Sequence, residues 1–135
     1  MDVLTPEQRK RCMSRIRSKD TRPEVAVRRL VHGLGYRFRL HRADLPGKPD
    51  LVFPSRRKVI FVHGCFWHRH QECKLASQPK SRYEYWQSKF ERTIERDQSN
   101  QERLQEKGWD YLIIWECQSK KLTEITDIIE EFLDS

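Results

Sequence analysis

Leu51-Val52-Phe53-Pro54-Ser55-Arg56-Arg57-Lys58-Val59-Ile60-Phe61-Val62-His63 carries the pattern that decides the fold. Two apolar runs rich in Val, Ile and Phe flank a Pro-Ser-Arg-Arg turn, which predicts two strands joined as a hairpin. Ahead of it, Tyr36-Arg37-Phe38-Arg39-Leu40 alternates apolar and basic residues, as a strand with one wet face would. Thr21-Arg22-Pro23-Glu24 supplies a cap and an early proline for a helix. That helix continues through Val25, Val27, Leu30, Val31 and Leu34 and stops at Gly35. Thr5-Pro6-Glu7 opens an earlier helix in the same way. Beyond the hairpin the pattern predicts a long helix over 82–107 ending at Gly108, then a buried strand over 109–115. Leu122, Ile125, Ile128, Ile129, Phe132 and Leu133 are spaced for a closing helix with an acidic outer face. The order helix, helix, strand, strand, strand, helix, strand, helix implies an α/β fold, a mixed β-sheet flanked by helices.

Composition limits what such a fold can be. At 135 residues the chain has room for one domain, 1–135, with one basic N-terminal arm at 1–19. Mean hydropathy is -0.90. Even so, Leu, Ile, Val and Phe total 32 residues, above the roughly 20% below which disorder is expected. No apolar run approaches the ~18 residues of a membrane span, and the N-terminus lacks the apolar stretch of a signal peptide. A soluble cytoplasmic protein is therefore expected. The net charge of +7 is unevenly placed: residues 1–40 carry 11 Lys/Arg against 4 Asp/Glu, while 110–135 carry 2 against 7. The basic end suits a polyanion, because each phosphate neutralised by Lys or Arg releases counterions whatever the base sequence.

The residues that can do chemistry lie between Pro49 and Cys73. Asp50 stands at the start of one strand, and Val62-His63 end its hairpin partner, so a carboxylate and a backbone carbonyl meet at neighbouring edges. Hard oxygen donors of this kind suit magnesium, which takes one or two carboxylates and keeps several waters. Cys65, His70, Cys73 and the distant Cys117 read as three thiolates and one imidazole, a closed tetrahedral set that suits structural zinc. Buried free thiols in a reducing compartment are the alternative. Cys12 lies outside the set. Phe66-Trp67 sits between two of these ligands and Tyr85-Trp86 at the start of the long helix. Aromatic groups in a short pinned loop beside a basic surface can wedge into a base stack, or they can be core.

Leu45-Pro46-Gly47-Lys48-Pro49-Asp50-Leu51-Val52-Phe53, Val59-Ile60-Phe61-Val62-His63-Gly64-Cys65-Phe66-Trp67-His68 and Ile113-Ile114-Trp115-Glu116-Cys117 resemble the very-short-patch repair (Vsr) DNA mismatch endonuclease family. The likeness runs from about Thr5 to Phe132, and the string HGCFWH is its most specific part. It implies a restriction-endonuclease-like mixed sheet with one structural zinc site. The implied activity is nicking of duplex DNA 5′ of the thymine in a T·G mismatch left by 5-methylcytosine deamination. The resemblance also implies roles. Asp50 and the Val62 carbonyl would hold catalytic Mg2+, His68 would be the general base with Asp97 orienting it, and His63 and Glu24 would assist near the scissile phosphate. Zn2+ would sit on Cys65, His70, Cys73 and Cys117, with the choice between His70 and a neighbouring histidine left open. Phe66, Trp67 and Trp86 would intercalate beside the mismatch, and the basic arm would clamp the duplex. Many members carry Thr where this chain has Val62, a change that spares a backbone ligand. The implied setting is a bacterial cytoplasm, in association with the nucleoid. The implied partner is double-stranded DNA with a T·G mismatch, met as a monomer, with room for a mismatch-recognition protein as recruiter.

The implied mechanism is chemically coherent. Metal on Asp50 would stabilise charge developing on the phosphate and lower the pKa of a water. A histidine, titrating near ~6.5 in peptides, can take that water's proton if a carboxylate holds its other nitrogen. A mismatched pair is also easier to unstack than a matched one, by roughly a few kcal/mol at most. Two other readings share these residues: a restriction-type or nonspecific nuclease, which would cut matched duplex too, and a zinc-stabilised DNA-binding module without catalysis, indifferent to loss of Asp50.

Overall fold

The computed structural model describes residues 21–135. The basic arm at 1–19, the helix opened by Thr5-Pro6-Glu7 and Cys12 lie outside the described residues. The elements run α1 (Arg22–Gly33), β1 (Arg39–Leu40), β2 (Leu51–Phe53), β3 (Lys58–His63), α2 (Tyr83–Glu106), β4 (Asp110–Trp115), a 3-10 turn (Gln118–Lys120) and α3 (Leu122–Asp134). Among them no helix is long and apolar enough to cross a membrane.

The sheet is four-stranded in the order β1-β2-β3-β4. β2 pairs antiparallel with both β1 and β3, as the hairpin reading required, while β3 pairs parallel with β4. The parallel pair is possible because α2 provides the long crossover that parallel strands need. Alternation along the strands then sorts side chains onto two faces. Leu51, Phe53, Ile60 and Ile114 pack with Val27 and Val31 of α1 and with Ile125, Ile129 and Leu133 of α3. Val52, Val59 and Phe61 pack on the other face with Leu45 and with Leu104 of α2. His63 has the parity of Phe61, so the end of β3 delivers it to the α2 face. α3 and its acidic outer residues cover the opposite face.

Helix ends follow local chemistry. The Thr21 hydroxyl accepts from the Glu24 N–H at 3.4 Å, and Gly35, with φ of 93°, turns the chain out of α1. Lys58 is buried at the far end of the sheet, where its Nζ donates to the Phe132 carbonyl at 2.6 Å. A cation there complements the C-terminal end of α3.

Three expectations need correction. The first strand, expected over 36–40, is only Arg39–Leu40, and both residues are exposed. Its partner β2 ends at Phe53 before Pro54, which has no N–H to give a ladder. Tyr36 and Phe38 therefore pack through their side chains: the Tyr36 hydroxyl donates to Asp134 at 2.8 Å, and Phe38 meets Phe53 edge-on at 6.2 Å. The strand expected to be buried over 109–115 starts at Asp110 and buries only Ile114 fully, because it is an edge strand with β3 alone beside it. In the closing helix, Leu122 and Ile128 are exposed and do not join the core.

Candidate active site and metal centre

The loop between β1 and β2, the end of β3, His68 in the loop after it and the middle of α2 enclose a cleft of about 880 Å³. Asp50 lies in it one residue before β2, and its Oδ2 accepts from the Val62 N–H at 2.6 Å. His63 turns toward β4, where its carbonyl accepts from the Glu116 N–H at 2.9 Å. By the alternation of a strand, the Val62 carbonyl is directed to the opposite, Asp50 side. Burial pushes the Asp50 carboxyl up to about 6, with the nearby Glu24 adding to the rise and the Val62 N–H opposing it. A carboxylate desolvated to this degree and facing a second carboxylate favours a cation beside it. The donor set therefore fits a divalent cation.

Glu24, on the inward face of α1, is 2% exposed. It accepts from Arg28 at 2.9 Å and is hydrogen-bonded to His41 Nε2. Asp50, Glu24 and His41 bring their ligand-type atoms together within 4.8 Å. His41 was not anticipated from the sequence. It precedes β2 by ten residues and follows β1 directly, where its backbone takes a left-handed conformation, φ 49°. Such conformations in a non-glycine residue are costly and cluster at functional sites.

His68 Nδ1 is 2.6 Å from Asp97 Oδ2. The bond joins the loop after β3 to α2 and leaves Nε2 as the ring nitrogen free to exchange a proton. The His68 ring stacks on that of His63, centroids 3.8 Å apart and planes 9° apart. Burial, with the neighbouring His68 adding to the fall and Asp97 opposing it, lowers the His63 pKa to about 4. His63 is thus a neutral imidazole in the working pH range, and its Nδ1 has no hydrogen-bond partner among the described residues. The far wall comes from α2: Thr93, Arg96, Asp97, Asn100 and Gln101 line the cleft. Their spacing of three, four, seven and eight places them on one side of a helix, a half-buried polar stripe between Phe90 and Leu104 that was legible but unread. The loop can approach this wall because residue 47 is glycine. A Cβ there, at φ 80°, would meet Asn100 and Phe61 at 3.1 Å.

Behind the cleft, Cys65, His70, Cys73 and Cys117 hold their donor atoms within 4.8 Å of one another. His70 Nδ1 lies 3.7 Å from Cys65 Sγ and 3.4 Å from Cys117 Sγ. Tetrahedral zinc, with bonds of about 2.3 Å to sulfur and about 2.0 Å to nitrogen, separates such donors by roughly 3.5 Å. His70 is thus the histidine that stands with the three cysteines, while His68 turns to Asp97. Burial pushes the Cys65 thiol up to about 12, so this sulfur ionises only against a cation. Arg69 braces the loop from outside: its guanidinium donates to the carbonyls of Phe66, Ala76 and Ser77 and lies 4.2 Å from the centre of the Phe90 ring. On that scaffold Phe66, Trp67 and Trp86 form a half-buried aromatic group. Phe66 is 5.3 Å from Trp67 and 5.5 Å from Trp86, both edge-on. The rings expected to intercalate thus stand together beside the cleft.

A mixed sheet with helices on both faces, a carboxylate at the start of a central strand and a Cys/His metal centre against its end defines a restriction-endonuclease-like α/β protein. The family model for the DNA mismatch endonuclease Vsr matches residues 1–75. Among relatives, the type II nicking enzyme V.XorIIP of Xanthomonas oryzae pv. oryzae (strain KACC10331 / KXO85) is 51% identical over 133 residues, covering 98% of this chain and 97% of that one. The DNA mismatch endonuclease Vsr of Escherichia coli (strain K12) is 42% identical, covering 98% of this chain and 87% of its own. The type II nicking enzyme V.NaeI of Lentzea aerocolonigenes is 35% identical over 132 residues, 94% of this chain and 75% of that one. The chain belongs to the Vsr DNA mismatch endonuclease family.

Proposed function

We propose that this chain is a magnesium-dependent DNA endonuclease that nicks one strand of a duplex on the 5′ side of the thymine in a T·G mismatch. Family membership supports the reaction class. The observation that carries the assignment of roles is one cleft containing a desolvated carboxylate and a His68–Asp97 pair at 2.6 Å. Magnesium held by Asp50 and the Val62 carbonyl would supply charge neutralisation at the phosphate and acidify an attacking water.

The chain's own groups have separate tasks. Asp97 accepts from His68 Nδ1, which fixes the tautomer with the lone pair on Nε2. That nitrogen takes the proton of the attacking water. Neutral His63, which lines the cleft with its ring stacked on His68, assists near the scissile phosphate, and Glu24, held by Arg28 and His41, orients a further water beside Asp50. Phe66, Trp67 and Trp86 enter the duplex at the mismatch, where unstacking costs least. The segment at 1–19 clamps the DNA of the cytoplasmic nucleoid. The acidic face of α3 lies across the sheet from the cleft, away from the phosphates. The protein acts as a single domain and a monomer.

His68→Asn and Asp97→Asn separate base from orienter. Loss of the general base is expected to slow single-turnover nicking by about 10²–10⁴-fold. Asp97→Asn, which keeps the base in place, should cost less than His68→Asn, and neither change should alter DNA affinity by more than about a few fold. Unchanged nicking by His68→Asn would remove the histidine from the mechanism.

A further inference from the structure

Trp115 ends β4, and its indole has a neighbour on each side. The ring of His70 stacks on it, centroids 4.2 Å apart and planes 13° apart. The ring of His63 meets it edge-to-face at 5.4 Å and 80°. His63 in turn stacks on His68, and His68 is bonded to Asp97. A row of rings therefore runs from the zinc-binding imidazole to the imidazole placed as base. The backbone around it is fixed: the Trp115 N–H donates to Gln118 Oε1 at 2.8 Å, the Cys65 N–H to Glu116 Oε1 at 3.2 Å and the Glu116 N–H to the His63 carbonyl at 2.9 Å.

The ring of His63 has little else to orient it. It is 6% exposed, and its Nδ1 meets no protein donor or acceptor among the described residues. Metal-site imidazoles are usually oriented by a hydrogen bond at the nitrogen opposite the reacting one. At His63 that task falls to packing, with Phe61 at 5.6 Å, His68 on one face and Trp115 at the edge. Trp115 in turn stacks on the ring of His70, whose Nδ1 faces the sulfurs of Cys65 and Cys117 and would hold the metal there. Edge-to-face and stacked aromatic contacts prefer defined geometries, which favours one ring rotamer over its alternatives.

We propose that Trp115 is a positioning residue that transmits the placement of the zinc centre to His63, and through the His63–His68 stack to the base. It touches no reacting atom. The inference rests on the nicking reading for its kinetic consequence, and its structural half can be tested without it.

The experiment compares zinc-loaded full-length wild type with Trp115→Leu and Trp115→Phe. It measures zinc content, DNA affinity, single-turnover nicking at saturating T·G duplex, and the ring resonances of His63 and His68. Because a misplacement of about 1 Å can cost about 10²-fold in rate, the Leu variant should lose nicking on that scale. It should keep one zinc and its DNA affinity and shift both sets of ring resonances, and the Phe variant should recover most of the rate. Full-speed nicking by the Leu variant, or unmoved ring resonances, would overturn the proposal. So would a loss of rate in both variants that only follows loss of zinc, since Trp115 would then be a structural residue. Failure of the wild type to nick would count against the function reading instead, and the ring resonances alone would then decide the role of Trp115.

Discussion

Asp50→Asn is expected to abolish nicking and, at the same time, to stabilise the magnesium-free protein. The first effect follows from removing the carboxylate that the proposed mechanism assigns to the cation. Losing roughly 4 kcal/mol or more of transition-state stabilisation is a slowing of about a thousandfold or more. DNA affinity should change little, because the positive surface that meets the phosphates is untouched and the asparagine carbonyl can still accept from the Val62 N–H. The second effect is a matter of linkage. Burial raises the folded-state pKa of Asp50 to about 6 from 3.8. A raised carboxyl favours folding while protonated, so that contribution is present below about pH 4 and is lost as the pH rises through about 6. At pH 8 the wild type carries the full cost of a buried anion, on the order of 2–3 kcal/mol; the asparagine variant carries none. Chemical denaturation in magnesium-free buffer should show the two proteins equally stable near pH 4, with the variant ahead by pH 7. His63, whose pKa falls the other way, contributes equally to both and cancels. A variant that nicks within tenfold of wild type would remove Asp50 from the chemistry. A variant less stable than wild type at pH 8 would show that the carboxylate is better compensated than its surroundings suggest.

Cys117→Ser should have the opposite profile, with activity and stability lost together. Cys117 is the ligand from beyond β4. It ties the loop after β3 back to the sheet through its N–H, which donates to Cys65 Sγ at 3.4 Å, and would do so again through a bound zinc. Structural zinc contributes about 10–16 kcal/mol in isolated zinc-finger peptides. Even a fraction of that lost here should lower Tm by about 10 °C or more. The loop carries Phe66, Trp67 and His68, so its release should disperse the aromatic group and part His68 from Asp97. Zinc content, a melting curve and proteolysis within the loop check this. A folded, zinc-free variant that nicks at the wild-type rate would mean that the four residues are not a structural metal site.

How much of this was legible in the sequence depended on the range of the interactions involved. The β2–β3 hairpin was clear because both its strands are buried and its turn is local. β1 and β4 were overestimated because each is an edge strand, and a residue-by-residue pattern does not show which strands lack a second neighbour. Asp50 and Val62 could be brought together because a hairpin fixes its own register. Glu24 and His41 could not, since their contact across 17 residues depends on how α1 settles against the end of β1. For Cys65, His70 and Cys73 the spacing carried the signal, while Cys117 depended on β4 pairing parallel to β3. The polar stripe on α2 was visible as helical periodicity but lacked an apolar signature. Trp115 looked like an ordinary strand residue, and only the turn of the loop after β3 brings both His63 and His70 against its ring.

The most direct test of the central claim uses duplexes labelled separately at the end of each strand, one carrying a single T·G mismatch and one fully matched, with and without magnesium. A single nick 5′ of the mismatched thymine, on that strand alone, present only with magnesium and absent from the matched duplex, is the expected result. Equal cutting of the matched duplex, or cutting of both strands, would contradict it.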